Sequence, residues 1–308
     1  MQQNYKIILL LALCWNFHLL ADCCLDEGCD KVLLAPFFAQ TSISHTEGKG
    51  VGFSNGYTTL DLFFISSRRS LYPFIDLRGH GFDNRKVALN TGLGIRWLSP
   101  QMWIFGANLY YDYRQGDHKN FDQVGYGFQQ IGLGFEALGP LLDIRMNFYY
   151  PVGKKKWNFD QVIFNDAGIT PIIIPKKQST MKGFNVETGA TFFKGFFCHD
   201  EIDWSIYGAA GFYYFDQETG GGRWGGELRL KGQLTRYLFI EIEGCYDRSM
   251  NFAAQWRIGI NIPLYPWTSN KIGQRYKQKD SCPFLLPWQL NEQLTQPVNR
   301  MEIIPLRS

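Results

Sequence analysis

The sequence predicts an all-β fold, namely a transmembrane antiparallel up-and-down β-barrel of about twelve strands. Three observations carry this prediction: side chains alternate along many segments, these segments are mostly ten to thirteen residues long, and the N-terminus has the features of an export signal. Aromatic residues make up 16% of the chain and glycine contributes 32 residues, whereas only 19% is charged. This composition is typical of strands rather than helices.

The segment 87–113, VALNTGLGIRWLSPQMWIFGANLYYDY, shows the alternation most clearly. From Val87 to Trp97 the apolar residues share one face, while Gly92, Gly94 and Arg96 lie on the other. A period of two indicates strands, and the short Ser-Pro break indicates a hairpin. In a soluble sandwich the apolar face would cover a core, whereas in a membrane barrel it would face lipid. The local pattern leaves both alternatives open.

The lengths and spacing of the segments favour the membrane barrel. A tilted spanning strand needs about 9–11 residues, whereas strands of soluble proteins usually have about five or six. When the loops between consecutive predicted strands are numbered in chain order, the even-numbered loops are mostly short and the odd-numbered loops are mostly longer. This is expected for periplasmic turns and outer loops of a barrel. Two odd loops are short and the even loop 194–203 is long, so the rule has exceptions. The predicted strands lie near 37–46, 57–66, 72–82, 87–98, 102–114, 126–137, 141–151, 184–193, 204–215, 224–235, 238–247 and 251–264.

The N-terminus predicts a secretory signal peptide. Lys6 precedes an apolar run from Ile7 to about Trp15, which is too short to span a membrane, and cleavage is predicted after Ala21. An exported chain without a spanning helix is secreted, periplasmic, or an outer-membrane barrel. The predicted organisation is a signal peptide at 1–21, an N-terminal periplasmic segment at 22–35, an outer-membrane barrel at 36–264 and a C-terminal tail at 265–308.

Charged residues recur on the less apolar face of one strand after another, and a barrel would point them into its lumen. Because acids and bases lie on neighbouring strands, we interpret them as a ladder of charges rather than as catalytic carboxylate pairs. The lumen-facing candidates are Asp76, Arg78, Arg96, Asp143, Arg145, Glu227, Arg229, Glu241, Glu243 and Arg257.

The sequence gives little support for catalytic or metal-binding chemistry. The five histidines have no ligand spacing, and Cys-x-x-Cys does not occur. The Gly-rich stretch GKGVGFSNG ends in the letters Gly-x-Ser-x-Gly at 52–56, but it opens no helix and is interpreted as a flexible loop rather than a nucleophile elbow. We therefore predict no catalytic residues, no cofactor, no metal and no enzyme activity. The net charge of +3 is too small to indicate a nucleic-acid partner. The six cysteines left after cleavage are interpreted as disulfides or inert thiols.

Several motifs point to one family. LNTGLGIRWL followed by WIFGANLYYDY resembles the paired-strand motif of the inverse autotransporter β-domain, the intimin/invasin family. IGLGFEALGPLLDIRMNFYYPVG is similar to the next hairpin of that family, and QPVNRMEIIPL is similar to the segment after its barrel. The resemblance covers roughly residues 36–308. It implies a twelve-stranded outer-membrane barrel whose C-terminal linker threads the lumen and carries adhesive domains outside.

The tail departs from the family pattern, because about 44 residues follow Leu264 and they contain no repeat or sandwich-sized segment. The expected function is therefore a surface, structural or pore-forming barrel without its own adhesin domain. The tail is either a partial plug of the lumen or a disordered periplasmic segment. Alternative functions are a secreted soluble all-β binding protein and an outer-membrane hydrolase.

The expected location is the bacterial outer membrane after export by the signal peptide. The expected partners are outer-membrane lipid, the barrel-assembly machinery and a candidate surface ligand at loop 152–183; nucleic acid is not expected.

Overall fold

The computed structural model describes residues 37–66, 71–116, 126–164, 171–196, 203–217, 221–235, 237–248, 251–265 and 293–307. No helix in these ranges is long and apolar enough to cross a membrane. The strands are β1 (Phe37–Gly48), β2 (Tyr57–Ser66), β3 (Leu71–Phe82), β4 (Val87–Leu98), β5 (Ile104–Gln115), β6 (Gly127–Leu138), β7 (Asp143–Val152), β8 (Lys156–Phe164), β9 (Pro171–Thr180), β10 (Lys182–Phe196), β11 (Asp203–Gln217), β12 (Gly221–Gln233), β13 (Leu238–Asp247), β14 (Asn251–Tyr265) and β15 (Leu306–Arg307).

Twelve of these strands close into one antiparallel barrel, in the order β1-β14-β13-β12-β11-β10-β7-β6-β5-β4-β3-β2. Strands β1 and β14 complete the ring, with Ile43 opposite Ile260. Because β8 and β9 lie outside the ring, β7 pairs directly with β10. Closure leaves no open sheet edge in the ring, which is the condition for a sheet in lipid. The predicted fold class is confirmed, and the twelve predicted segments match the barrel strands to within about three residues at each end.

The barrel has apolar side chains on its outer face and charged side chains on its inner face, which is the reverse of a soluble protein. Leu93 is 57% exposed and Leu228 is 67% exposed on the outside, whereas Asp76 and Arg96 on the inside are 0% exposed. Large apolar side chains on the outer surface are stable only where lipid covers them. The apolar face of the segment 87–113 is therefore the lipid face.

The segment 152–183 was predicted to be a long loop between two barrel strands; it does connect β7 to β10 outside the ring, but the prediction missed its regular structure. It contains the hairpin β8–β9, which β15 extends to a three-stranded sheet through the pairs Leu306–Thr180 and Arg307–Ser179. β9 was not predicted because it contains Pro171 and Pro175, and proline has no N–H to donate to a ladder.

The hydrogen bonds at the base of the hairpin explain why β9 tolerates its prolines. Thr180 N donates to Lys155 O on the β8 side, whereas Met181 N donates to Pro305 O on the side of β15. Since N–H groups alternate in direction along a strand, Pro171 and Pro175 lack donors only on the β15 side. That side is paired by β15 at Ser179 and Thr180. Pro171 and Pro175 lie beyond these two pairs, so the β15–β9 ladder loses no hydrogen bond to them.

Candidate functional site: the barrel lumen

All ten lumen-facing candidates lie on the inner face of the barrel. Seven of them are buried, and Arg229, Glu243 and Arg257 are partly exposed toward the interior. Charged residues of the wall also pair with one another. Glu187 Oε1 lies 3.6 Å from Arg145 Nη1 and 2.6 Å from Arg229 Nη2, and Arg145 Nη2 lies 3.1 Å from Asp143 Oδ2. The acids and bases inferred to form a charge ladder therefore contact one another within β7, between β7 and β10, and across β11.

The lumen also contains residues 293–307 of the C-terminal tail. At one end, Gln293 Nε2 donates to Gly139 O in the turn between β6 and β7, at 2.7 Å. At the other end, Leu306 pairs with β9 of the small sheet. The segment thus runs from the end of the barrel with short turns to the end that carries the hairpin. Its buried apolar side chains are Leu294, Val298, Ile303, Ile304 and Leu306.

Glu302 anchors this segment between two arginines of the wall. Arg78 Nη1 donates to Glu302 Oε1 at 2.7 Å, and Arg257 Nη2 donates to Oε2 at 3.0 Å. Arg78 is itself oriented by Asp76, whose two oxygens accept from Nε at 3.0 Å and from Nη2 at 2.6 Å. Tyr110 Oη donates to the same Asp76 at 2.6 Å. One carboxylate of the tail therefore joins β3 to β14, two strands that are separated in the ring by β1 and β2.

Arg300 forms a second anchor, to Asp112 of β5. Its Nη1 and Nη2 donate to the two carboxylate oxygens at 2.7 and 2.6 Å, a bidentate arrangement in which both side chains are at most 2% exposed. The guanidinium also lies 4.2 Å from the centre of the Tyr110 ring. Gly132 makes room for it, because a Cβ there would lie 2.6 Å from Nη2 of Arg300.

Arginines of the wall also satisfy backbone carbonyls of the segment, which has no strand partner inside the lumen. Arg96 Nη1 donates to Leu294 O at 2.6 Å and to Gln296 O at 2.8 Å, and Arg114 Nη1 donates to Ile304 O at 2.5 Å. Buried carbonyls need such partners. The wall therefore recognises the course of the backbone as well as two charged side chains.

Several residues of this site were missed by sequence reasoning. Asp112 and Arg114 occupy inner-face positions of β5, so the alternation contained the signal that identified the other candidates. Arg300 and Glu302 lie far along the chain from their partners, and no local pattern reveals the pairing. Cys245, the cysteine within the described residues, is a buried free thiol, and the other cysteines lie outside those residues.

One group of side chains in the described part of the chain has the geometry of metal ligands. Ligand atoms of His45, Glu47 and Asp83 all lie within 4.8 Å of one another at the hairpin end of the barrel. The sequence did not reveal this group, because His45 and Glu47 lie in β1 whereas Asp83 lies in the turn between β3 and β4. Exposed carboxylates often lie together without an ion, so the geometry alone assigns no function to it.

The fold and the occupied lumen define an outer-membrane β-barrel whose own C-terminal segment lies in the pore. Residues 25–192 match the family model described as inverse autotransporter, beta-domain. Since this match covers more than half of the chain, the protein belongs to the inverse autotransporter β-domain family. No curated protein matches the sequence.

Solved structures of membrane proteins are similar in fold. One, from work on the mechanism of in-meso crystallization of membrane proteins, has a TM-score of 0.51 and 13% identity, covering 87% of this chain and 98% of that chain. The COG4313 outer membrane channel from Pseudomonas putida F1 has a TM-score of 0.45 and 10% identity, covering 78% and 100%. The beta domain of the Bordetella autotransporter BrkA has a TM-score of 0.38 and 11% identity, covering 74% and 97%. At these identities the likeness concerns the fold alone.

Proposed function

We propose that the protein is a closed surface anchor of the outer membrane, in which residues 293–307 seal the barrel and lead the chain to the outer surface. The observation that carries this proposal is that the segment is held at both ends of the lumen, by Gly139 in the turn between β6 and β7 and by Thr180 of the hairpin outside the ring, and by the wall between them. An open diffusion pore needs a continuous water-filled path. Here the path is occupied by a segment held through buried charge pairs.

A cavity beside the segment is consistent with closure. It is polar, has a volume of about 50 Å³ and is lined by Glu227, Arg229, Glu243 and Arg257 among others. A water molecule needs roughly 10–15 Å³ by the same measure, so the cavity accommodates a few waters. Such a volume is far below that of a hydrated solute.

Truncation tests the closed state directly. A chain that ends at Tyr265 keeps β14 complete and should still insert as a barrel, whereas it loses every lumen contact of the tail. We expect the full-length protein to be nearly silent in planar bilayers and the truncated protein to conduct in steps. Heat-modifiable gel migration of both proteins controls for folding. Equal conductance of two folded proteins would reject closure by the tail.

We further propose that the β8–β9 hairpin is the surface that meets an external ligand. Ile173 is 63% exposed and Ile174 is 37% exposed on it. At its base, Lys154 Nζ lies 4.6 Å from the centre of the Trp157 ring. Exposed apolar side chains beside a cation–aromatic cluster are common at protein interfaces.

The exposure of this hairpin is open to a protease test on intact cells. Because 152–183 contains Lys154, Lys155, Lys156, Lys176 and Lys177, added trypsin should cleave there first. The readout is the N-terminal sequence of the fragments. First cleavage within 194–203 would reverse the proposed orientation of the barrel.

We also propose that the protein is an anchor rather than an enzyme. His80, the buried histidine of the lumen, has both ring nitrogens engaged: Nδ1 lies 2.9 Å from Thr59 Oγ1 and Nε2 lies 2.6 Å from Asn90 Oδ1. These contacts support a structural role for His80. Turnover of phospholipid or ester substrates by the purified barrel, abolished by His80→Gln, would contradict it.

A further inference from the structure

An apolar groove lies on the outer face of the barrel, where β11, β12 and β13 approach the end with short turns. Its volume is about 470 Å³, and Trp204, Ile206, Leu230, Gly232, Ile240 and Ile242 form most of its lining. No residue of the lining is charged. The volume falls within the roughly 300–1,000 Å³ that is usual for small-ligand sites.

The groove arises because Gly232 has no side chain where it lies between two paired residues of the neighbouring strands. Gly232 pairs with Ile206 on one side and with Ile240 on the other, so a gap one strand wide lies between two isoleucines. In the next row, Leu230 pairs with Ile242 and closes the gap toward the middle of the barrel. A Cβ on Gly232 would have no neighbouring atom closer than 4.0 Å.

A second glycine of β12 shows that a gap alone does not make a groove. Gly226 lies on the same outer face, between Phe212 and Tyr246. Beside it, the rings of Phe212 and Trp224 contact each other with their centres 6.0 Å apart. The lining of the groove does not include Gly226, so the open cavity is confined to Gly232 and its neighbours.

The surroundings of the groove determine its occupant. It is continuous with the lipid-facing surface, on which Leu230 is 50% exposed and Ile242 is 53% exposed. Trp204 and Tyr237 lie at the ends of the neighbouring strands, the depth at which aromatic side chains meet the lipid headgroups. In outer-membrane barrels short turns face the periplasm, so this is the leaflet built of phospholipid.

We propose that the groove binds one acyl chain of a phospholipid from the periplasmic leaflet. A flexible hydrocarbon chain fills the gap at Gly232 and restores the dispersion contacts that an empty gap would lose. The uncharged, apolar lining matches such a chain. The proposal rests on the lipid-facing orientation of the barrel and is independent of whether the lumen is closed.

The test uses the full-length protein, extracted from membranes in mild detergent and analysed by native mass spectrometry. Gly232→Leu fills the groove, and Gly226→Leu is the matched control, because a Cβ at either position meets no atom closer than 4.0 Å. We expect the unmodified protein and Gly226→Leu to retain one phospholipid. For Gly232→Leu we expect retention to fall on the order of tenfold, which is the effect of losing contact with about two methylene groups.

Heat-modifiable migration verifies that each variant is folded. If Gly232→Leu does not fold, Gly232→Ala replaces it and should show a smaller loss in the same direction. Equal phospholipid retention by folded Gly232 and Gly226 variants would overturn the proposal. A retained mass equal to that of lipopolysaccharide would also overturn it.

Discussion

Leu93→Arg and Ile258→Arg are expected to prevent stable folding of the barrel. Both side chains lie on the lipid face, where Leu93 is 57% and Ile258 is 40% exposed. An arginine at the middle of the bilayer costs about 2–4 kcal/mol on such a face. This is a large part of the stability of a typical domain. The measurement is the free energy of unfolding in urea for protein inserted in lipid vesicles, with heat-modifiable migration as the simpler readout.

Asn261→Arg is the control for these two variants. Asn261 lies on the inner face opposite Ser42, so an arginine there does not enter lipid. Asn90 is a poorer control although it also faces the lumen, because its amide donates to Asp112 and to the carbonyl of Glu302. If all three arginine variants lose the same free energy of unfolding, the assignment of the two faces is wrong.

Asp112→Asn is expected to release the C-terminal segment from the lumen. The substitution leaves the Arg300 guanidinium buried without its carboxylate, and breaking a buried pair from one side typically costs 3–5 kcal/mol. The segment should then become accessible to protease, and the conductance of the folded barrel should rise. The expected rise is smaller than that caused by truncation at Tyr265, because the contacts of Glu302 remain.

Two further variants show whether burial of the charge is the cause. Asp112→Asn combined with Arg300→Met removes both charges, and it should recover most of the closed state, since neutral replacement of a buried pair is often tolerated. Asp216→Asn breaks the Lys182–Asp216 pair, in which the lysine side chain is 55% exposed. Exposed pairs contribute about 0–1 kcal/mol, so this variant should remain closed. Release of the segment by Asp216→Asn, or none by Asp112→Asn, would contradict the role of the buried pair.

Much of the barrel is predictable because the pattern of a membrane-spanning strand depends on that strand alone. Each residue either faces lipid or faces the lumen, so the side-chain period of two appears in the sequence of each strand separately. The alternation from Val87 to Trp97 is one example, and the burial in the structure follows it residue by residue. The hairpin β8–β9 was missed because it lies outside the lipid. There Pro171 and Pro175 are tolerated because they lie beyond the two pairs of β9 with β15, and no lipid face imposes an alternation of side chains.

By itself, the sequence determined the twelve barrel strands, their facing and most of the charges that line the interior. The tertiary structure alone decided what those charges bind. Arg78 and Glu302 are separated by 224 positions, as are Asp112 and Arg300 by 188, and each pair meets only because the barrel closes and the tail enters it. Periodicity records the solvent on each side of a strand. It does not record which distant residue completes a buried charge, because that depends on the closed geometry of the whole chain.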